Sequence, residues 1–491
     1  MLDKSQQIRN SFLYMLPMGL SSLLPFITIP IFTRILTPQD YGVLALAMIY
    51  AIFMSGLANF GVSIAFERNY FQYQDAPEKL AQLLYSSLIF VMTNFAVLAV
   101  ITYLFKGNIS TFLTGSTQHG ILILTAFAAH FFFNTANNFY FTFFRNAEKA
   151  KFHTKYKILG AVLNFIISLF LVAYMRVGVI GIVMANLITG ISLFMLLLYL
   201  FLKELHFSLN KKIMLESLKI SYPLTPRIFI GVLNTQFDKY MIGLMSTIGS
   251  VGVYHIGKKI ADLIFTFMTA LQNVFNPQVY QRMFGQHEQG SESIGKYLTP
   301  FFYISIFLAM CLALFSEELM IILTPVSYHG AVPIVTILSM YMGFLFFGKI
   351  TGMQLIFSKK TPIASLLTFV SVGLNVALNI PLIMRFGAVG AAWATLLAGL
   401  ISTSLGIIVA QHYYKINWEW NKVAWIMGTF FIGATIIASM NLLYAPYLWS
   451  LPVKLTSMAV FLALGVKYRI ISKENLRVVR SVFPYRKLST L

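Results

Sequence analysis

MRVGVIGIVMANLITG (residues 175–190) and MRFGAVGAAWATLLAG (residues 384–399) align without a gap and share seven of sixteen positions at an offset of 209. The shared residues include Met175/Met384, Arg176/Arg385, Gly178/Gly387, Gly181/Gly390 and Gly190/Gly399. Each stretch joins two apolar runs through a short Arg-x-Gly break, the pattern of a tight turn between neighbouring helices. Upstream, LNF at 163 matches LNV at 374, and Pro17 and Gly42 find Pro223 and Gly252 at offsets of 206 and 210. Matching order at nearly constant offset is the mark of a duplicated half.

The surrounding composition sets the solvent. Of 491 residues 58% are apolar and 11% charged, and the mean hydropathy is +0.75, against about 25% charged in soluble domains. Apolar runs of about 20 residues, broken at charge clusters, number fourteen. Six such runs separate the two copies, an even number, so both halves cross in the same sense and are related by an axis along the membrane normal. The expected fold is an all-α integral membrane protein of about fourteen transmembrane helices. Two six-helix halves in parallel repeat occupy residues 1–210 and 211–415, and residues 416–491 add helices 13 and 14 with a basic tail.

Basic residues set the orientation. The net charge is +20, but the cations sit in the breaks between apolar runs, which excludes a nucleic-acid surface. With both termini cytoplasmic, 26 of the 36 lysines and arginines lie inside, five outside and five within spans, as the positive-inside rule requires. Cys311 is the one cysteine, so disulfide and cysteine-metal chemistry are excluded. The first apolar run follows Lys4 and Arg9, is too long for a signal-peptide core, and reads as a retained span. Its three prolines, Pro17, Pro25 and Pro30, make it a candidate bending element.

An ionisable group within a span costs at least about 2.5–3.5 kcal/mol, so each is expected to face a cavity or a partner. Seven occur here: Arg227, Asp238, Lys239, Lys258, Lys259, Asp262 and Lys349. All belong to spans 7, 8 and 10, in the second half, and sum to +3. Lys258 and Asp262 are spaced to pair along one helix face. Pairing leaves an excess of cations that an anionic cargo would complement. Arg227, Lys258, Lys259, Lys349 and Lys239 are therefore the candidate cationic cavity, and Asp238 and Asp262 are the acids available for ion coupling or for a structural role.

The first half offers polar, uncharged residues instead. On span 4, AAHFFFNTANNFYFTFFRN places His130, Asn134, Asn137, Asn138, Phe141 and Arg145 within a stripe about 100° wide. Amides and rings on one face suit the hydroxyls and apolar faces of sugars, and asparagines equally join helices to each other. His130 has no second histidine or carboxylate at ligand spacing on that helix, so no metal site is expected. Glu317 and Glu318, in a break on the outer side, read as a solvated loop pair.

FITIPIFTRILTPQDYGVLALA (26–47), YPLTPRIFIGVLNTQFDKYMIG (222–243) and VGVYHIGKKI (251–260) resemble the Wzx-type polysaccharide flippases. These belong with the MATE drug exporters and lipid II flippases to one larger group. The matching positions include Thr33-Arg34, Tyr41-Gly42 and Asp238-Lys239-Tyr240. The resemblance implies a MATE-like fold and export of an undecaprenyl-diphosphate-linked oligosaccharide to the outer leaflet of a bacterial inner membrane, in O-antigen or capsule assembly. It implies no enzyme and no cofactor. Lipid is the surrounding partner, and a polymerase of the same pathway is a further one. Proton or sodium coupling and the membrane potential are the energy sources it leaves open. A lipid II flippase is the alternative. A drug exporter fits less well, because a cationic cavity repels organic cations. A membrane polymerase would need larger external loops than this chain has.

Overall fold

The computed structural model describes residues 4–222, 225–284, 289–443 and 446–471, and their regular structure is helical throughout. The helices are α1 (Lys4–Phe32), α2 (Pro38–Asn59), α3 (Val62–Tyr73), α4 (Pro77–Leu104), α5 (Lys106–Thr114) and α6 (Gly120–Thr135). A π-helical turn at Ala136–Phe141 leads into α7 (Thr142–Asn146), followed by α8 (Ala150–Leu169), α9 (Val179–Glu204), α10 (Lys211–Ser221) and α11 (Thr225–Met245). Then come α12 (Ile248–Phe284), α13 (Gln289–Leu314), α14 (Ser316–Leu323), α15 (Val332–Phe357), α16 (Thr361–Tyr413), α17 (Trp420–Leu442) and α18 (Tyr447–Lys467). Among the described residues ten helical segments are long and apolar enough to cross a membrane.

The glycines that mark the repeat show why it was legible. Gly178 adopts φ 78°, ψ −157° and Gly387 φ 57°, ψ −137°, a region that only glycine enters readily. Each makes the sharp reversal between two long helical limbs, α8 to α9 in one case and the two limbs of α16 in the other. Three residues on, a Cβ at Gly181 would press on Leu171 and Val172, and one at Gly390 would fall on the carbonyl oxygen of Leu382. Gly190 lets α9 approach the α6 backbone, and Gly399 makes room for the Tyr341 ring of α15. A polar link also recurs. Asn164 donates to Asn186 at 2.8 Å, and Asn375 donates to Thr395 at 3.5 Å, positions that the two copies nearly share. The duplication is thus a repeated set of contacts as well as a repeated sequence.

Contacts divide the chain into two units, Met1–His255 and Ile256–Leu491. In the first, α6 packs on α2 and α9, and α1 packs on α8. The α10 helix lies on α3 and α4, and α11 lies on α2. In the second, α15 packs on α16 and α13, and α17 on α13 and α18. The contact units and the sequence halves are different divisions, because α10 and α11 follow the first copy in sequence but pack within the first unit.

Local chemistry fixes where α2 starts. Thr37 and Asp40 form a reciprocal capping box, Asp40 accepting from the Thr37 amide at 2.8 Å and Thr37 Oγ1 from the Asp40 amide at 3.2 Å, with Pro38 at the first helical position. The same turn abuts the start of α12. A Cβ on Gly42 would fall on the Ile248 carbonyl, and one on Gly252 on the Pro38 carbonyl. These two glycines, paired by the repeat, permit backbone-to-backbone approach of α2 and α12. The α1 helix runs unbroken through Pro17, Pro25 and Pro30.

Candidate functional site

Lys258 and Asp262 of α12 and Lys349 of α15 line one strip of the second unit. Lys258, Asp262 and Phe265 share one face of α12 at i, i+4 and i+7. Lys258 Nζ stands 3.9 Å from Asp262 Oδ1. One turn further along, Lys349 of α15 places its Nζ 4.5 Å from the centre of the Phe265 ring. Over the seven residues from Lys258 to Phe265 the helix rises about 10 Å, so the charges form a stripe. Neither Lys259 nor Lys349 has a carboxylate within 4.0 Å among the described residues. Lys259, one residue on from Lys258, is turned about 100° from that face, so two lysines share it with one aspartate, and Asp262, with nearly half its side chain exposed, is only loosely engaged.

The remaining predicted charges lie on α11, in the first unit. Asp238 is buried and accepts a hydrogen bond from Tyr254 Oη at 2.9 Å, which ties α11 to the first turns of α12. Lys239 is buried too and donates to Gln236 Oε1 at 3.0 Å. The side chain of Arg227 lies outside the described residues, as does the basic tail beyond residue 471.

The predicted span 4 stripe divides in two. His130 Nδ1 is 2.9 Å from Ser55 Oγ, linking α6 to α2, and Asn134, on the same segment, does not line the cavity that its neighbours Asn137 and Asn138 enter. Asn137, Asn138 and Phe141, by contrast, line a cavity of about 430 Å³. The cause is the π-helical turn at Ala136–Phe141. It closes i→i+5 and inserts a residue, so positions on either side no longer share the face that 3.6 residues per turn would give them.

Two cations that were counted with a cytoplasmic loop also line this cavity. Arg145 pairs with Glu67 of α3 at 2.6 Å. Lys157 of α8 donates to Asn137 Oδ1, and its Nζ lies 4.6 Å from the Phe141 ring centre. No carboxylate is within 4.0 Å of Lys157 among the described residues. The Phe141 ring, 3% exposed, is covered by Lys157 and by the edge of His153 at 5.3 Å, so it supports the lysine rather than offering a free face. Lys157 was missed because it precedes the apolar run. Residues 150–157 contain no glycine or proline, and that absence was the signal that the helix begins a full two turns earlier.

Glu317 and Glu318 are not a solvated loop pair. They open α14, and both hold Lys454 of α18, at 3.2 Å and 2.7 Å, with the lysine fully buried.

With this geometry in place, known proteins supply the context. The sequence matches the family described as polysaccharide biosynthesis protein over residues 8–281. The chain belongs to this family. Among curated members, a Haloferax volcanii protein named as a probable flippase of low-salt glycan biosynthesis is 27% identical over 208 residues, 42% of this chain and 44% of that protein. The match thus spans less than half the length of that relative. An Escherichia coli K12 protein named as a candidate O-antigen transporter is 21% identical over 420 residues, 82% of this chain and 97% of its own. Both names are those of transport proteins, not enzymes. Among solved structures, the lipid II flippase MurJ in an inward closed conformation aligns with a TM-score of 0.67 at 16% identity, covering 94% of this chain and 99% of MurJ. An inward-facing MATE multidrug transporter aligns with a TM-score of 0.62 at 14% identity, covering 83% and 97%. At these identities the likeness is one of fold, and it places this family member among the MurJ-like and MATE-like helical membrane proteins.

Proposed function

We propose that the protein carries a lipid-linked oligosaccharide across the membrane, and that the cargo is an undecaprenyl-diphosphate-linked O-antigen or capsule repeat unit. The family and the relatives' names support the lipid-linked sugar. The observation that carries the rest is the stripe of Lys258 and Lys349, with Lys259 next to it on α12 and Asp262 the one acid within ion-pair reach of these lysines among the described residues. Cations left unneutralised in an apolar bundle are costly unless an anion completes them. A diphosphate crossing hydrocarbon needs such a lining, because each unsatisfied polar group there costs several kcal/mol.

The asymmetry of basic residues supports cytoplasmic termini and hence an inner-membrane protein loaded from inside. About two negative charges moving outward down a 100 mV potential gain about 2.3 kcal/mol each, so voltage favours export. Asp262, exposed beside Lys258, is better placed than the hydrogen-bonded Asp238 to exchange a proton or sodium ion. Both the alternating-access cycle and this coupling are part of the proposal.

The test replaces Lys258, Lys259 and Lys349 singly by glutamate and measures surface polysaccharide at matched protein level. Each reversal is expected to lower export at least tenfold. Wild-type export by all three would overturn the proposal. Purified protein in vesicles, offered undecaprenyl-diphosphate oligosaccharide or lipid II, separates this cargo from the peptidoglycan precursor.

A further inference from the structure

The cavity belongs to the first unit and shares no residue with the stripe that carries the proposed function, and its chemistry is more specific than a polar gap between helices requires. Its volume of about 430 Å³ falls within the range of small-ligand sites. Three elements build it: α3 supplies Ser63 and Glu67, the π-helical turn and α7 supply Asn137, Asn138 and Arg145, and α8 supplies His153 and Lys157.

Two kinds of chemistry meet in it. Glu67, Arg145 and Asn138 present acceptors and donors side by side, as vicinal hydroxyls demand. Among the described residues the Asn138 amide makes no side-chain hydrogen bond, although its neighbour Asn137 is engaged by both Lys157 and the Phe133 carbonyl. Lys157 supplies a positive charge that no carboxylate among the described residues neutralises, held in place by Asn137 and the Phe141 ring. On the same wall the buried His153 Nδ1 has no hydrogen-bond partner among the described residues.

His153 also connects the cavity to α1. Tyr14 meets its ring edge-on at 4.9 Å, and one residue further on Thr154 Oγ1 donates to the Leu13 carbonyl at 2.6 Å. The Tyr14 hydroxyl is likewise buried without a partner. A ligand in the cavity would therefore bear, through His153, on the helix that contains three prolines.

We propose that this cavity is a binding site for a glycosyl phosphate, with Lys157 on a phosphoryl oxygen and Asn138, Glu67 and Arg145 on the sugar hydroxyls. The inference rests on the lipid-linked-sugar reading above and deepens it: the first unit recognises the sugar attached to phosphate. In the proposed orientation the cavity lies toward the cytoplasmic end, where the cargo is loaded.

The experiment measures binding to the full-length protein in nanodiscs by microscale thermophoresis. The probes are polyprenyl diphosphate and a panel of polyprenyl-diphosphate monosaccharides bearing glucose, galactose, N-acetylglucosamine or N-acetylgalactosamine. At least one sugar-bearing probe is expected to bind tenfold or more tightly than the bare diphosphate. Asn138→Leu should erase that preference while leaving affinity for the bare diphosphate unchanged. Lys157→Met should weaken both classes about tenfold, the scale of a lost charge-assisted hydrogen bond, and Lys157→Arg should restore them. Melting curves without ligand establish that each variant is folded.

The proposal is overturned if no sugar improves on the bare diphosphate, if folded Lys157→Met binds both classes with wild-type affinity, or if folded Asn138→Leu keeps the wild-type preference. Its failure is separable from failure of the transport reading. Stripe reversals at Lys258 or Lys349 are read by loss of translocation of every lipid-linked cargo, whereas the sugar preference and its loss in Asn138→Leu are read by binding alone, with no translocation required.

Discussion

Lys454→Met removes the charge from a site where the structure shows what that charge does. Lys454 is fully buried on α18 and lies 2.7 Å from Glu318 and 3.2 Å from Glu317 on α14. Methionine keeps the length of the side chain, so little volume is lost, but two carboxylates are left facing each other without a counter-charge. Removing one partner of a buried ion pair costs about 3–5 kcal/mol. The glutamates retain 32% and 22% of their side-chain exposure, and water takes up part of the loss, which brings the expected cost to about 2–4 kcal/mol.

The assay is thermal unfolding of the purified protein in detergent, followed by fluorescence-detected size exclusion. Lys454→Met should melt several degrees below wild type. The triple variant Glu317→Gln, Glu318→Gln, Lys454→Met should recover most of the difference, because it leaves no charge unpaired. Transport per folded molecule should be unchanged, since the cluster clasps α14 to α18 and contains none of the proposed cargo-binding residues. A single variant as stable as wild type would refute the clasp. So would a triple variant as unstable as the single, which would trace the loss to packing.

Gly387→Ala and Gly178→Ala each force a Cβ into a backbone region that costs about 1–3 kcal/mol for other residues, so both should lower the melting temperature by similar amounts. An effect at one and none at the other would show that the two turns are not equivalent. Gly252→Ala sets a methyl group against the Pro38 carbonyl, with backbone on the opposing side and no side chain able to yield. Destabilisation of at least about 1–3 kcal/mol is expected in the same melting assay, and an unchanged melting temperature would mean that α2 and α12 are not held at this distance.

The sequence exposed the fold through residues whose physical demands are local. Gly178 and Gly387 mark the same turn because positive φ combined with ψ of −157° and −137° is a conformation that only glycine enters readily, and twenty apolar residues in a row have one common solution in lipid. The stripe on α12 was legible for a related reason: Lys258, Lys259 and Lys349 interrupt apolar runs, and a charge in such a run stands out before any contact is known. Lys454 could be seen but not understood, since its partners Glu317 and Glu318 lie more than 130 positions away and nothing in either segment names the other.

The cavity of the first unit shows where sequence periodicity fails. Asn137, Asn138 and Arg145 were visible on a stripe drawn at 3.6 residues per turn, but that stripe also included His130 and Asn134. The π-helical turn at Ala136–Phe141 shifts the register by one residue, and His130 goes to Ser55 while Asn137 goes to Lys157. Lys157 was hidden by the opposite rule, which assigns a cation at the edge of an apolar run to the loop beside it. The half-buried Lys157 and the π turn that meets it are thus two departures from regular helix reading at one place. Such departures persist where the surrounding structure gains something by them, and here what they produce together is a lysine with no carboxylate beside it among the described residues, next to the Asn138 amide and the Arg145–Glu67 ion pair.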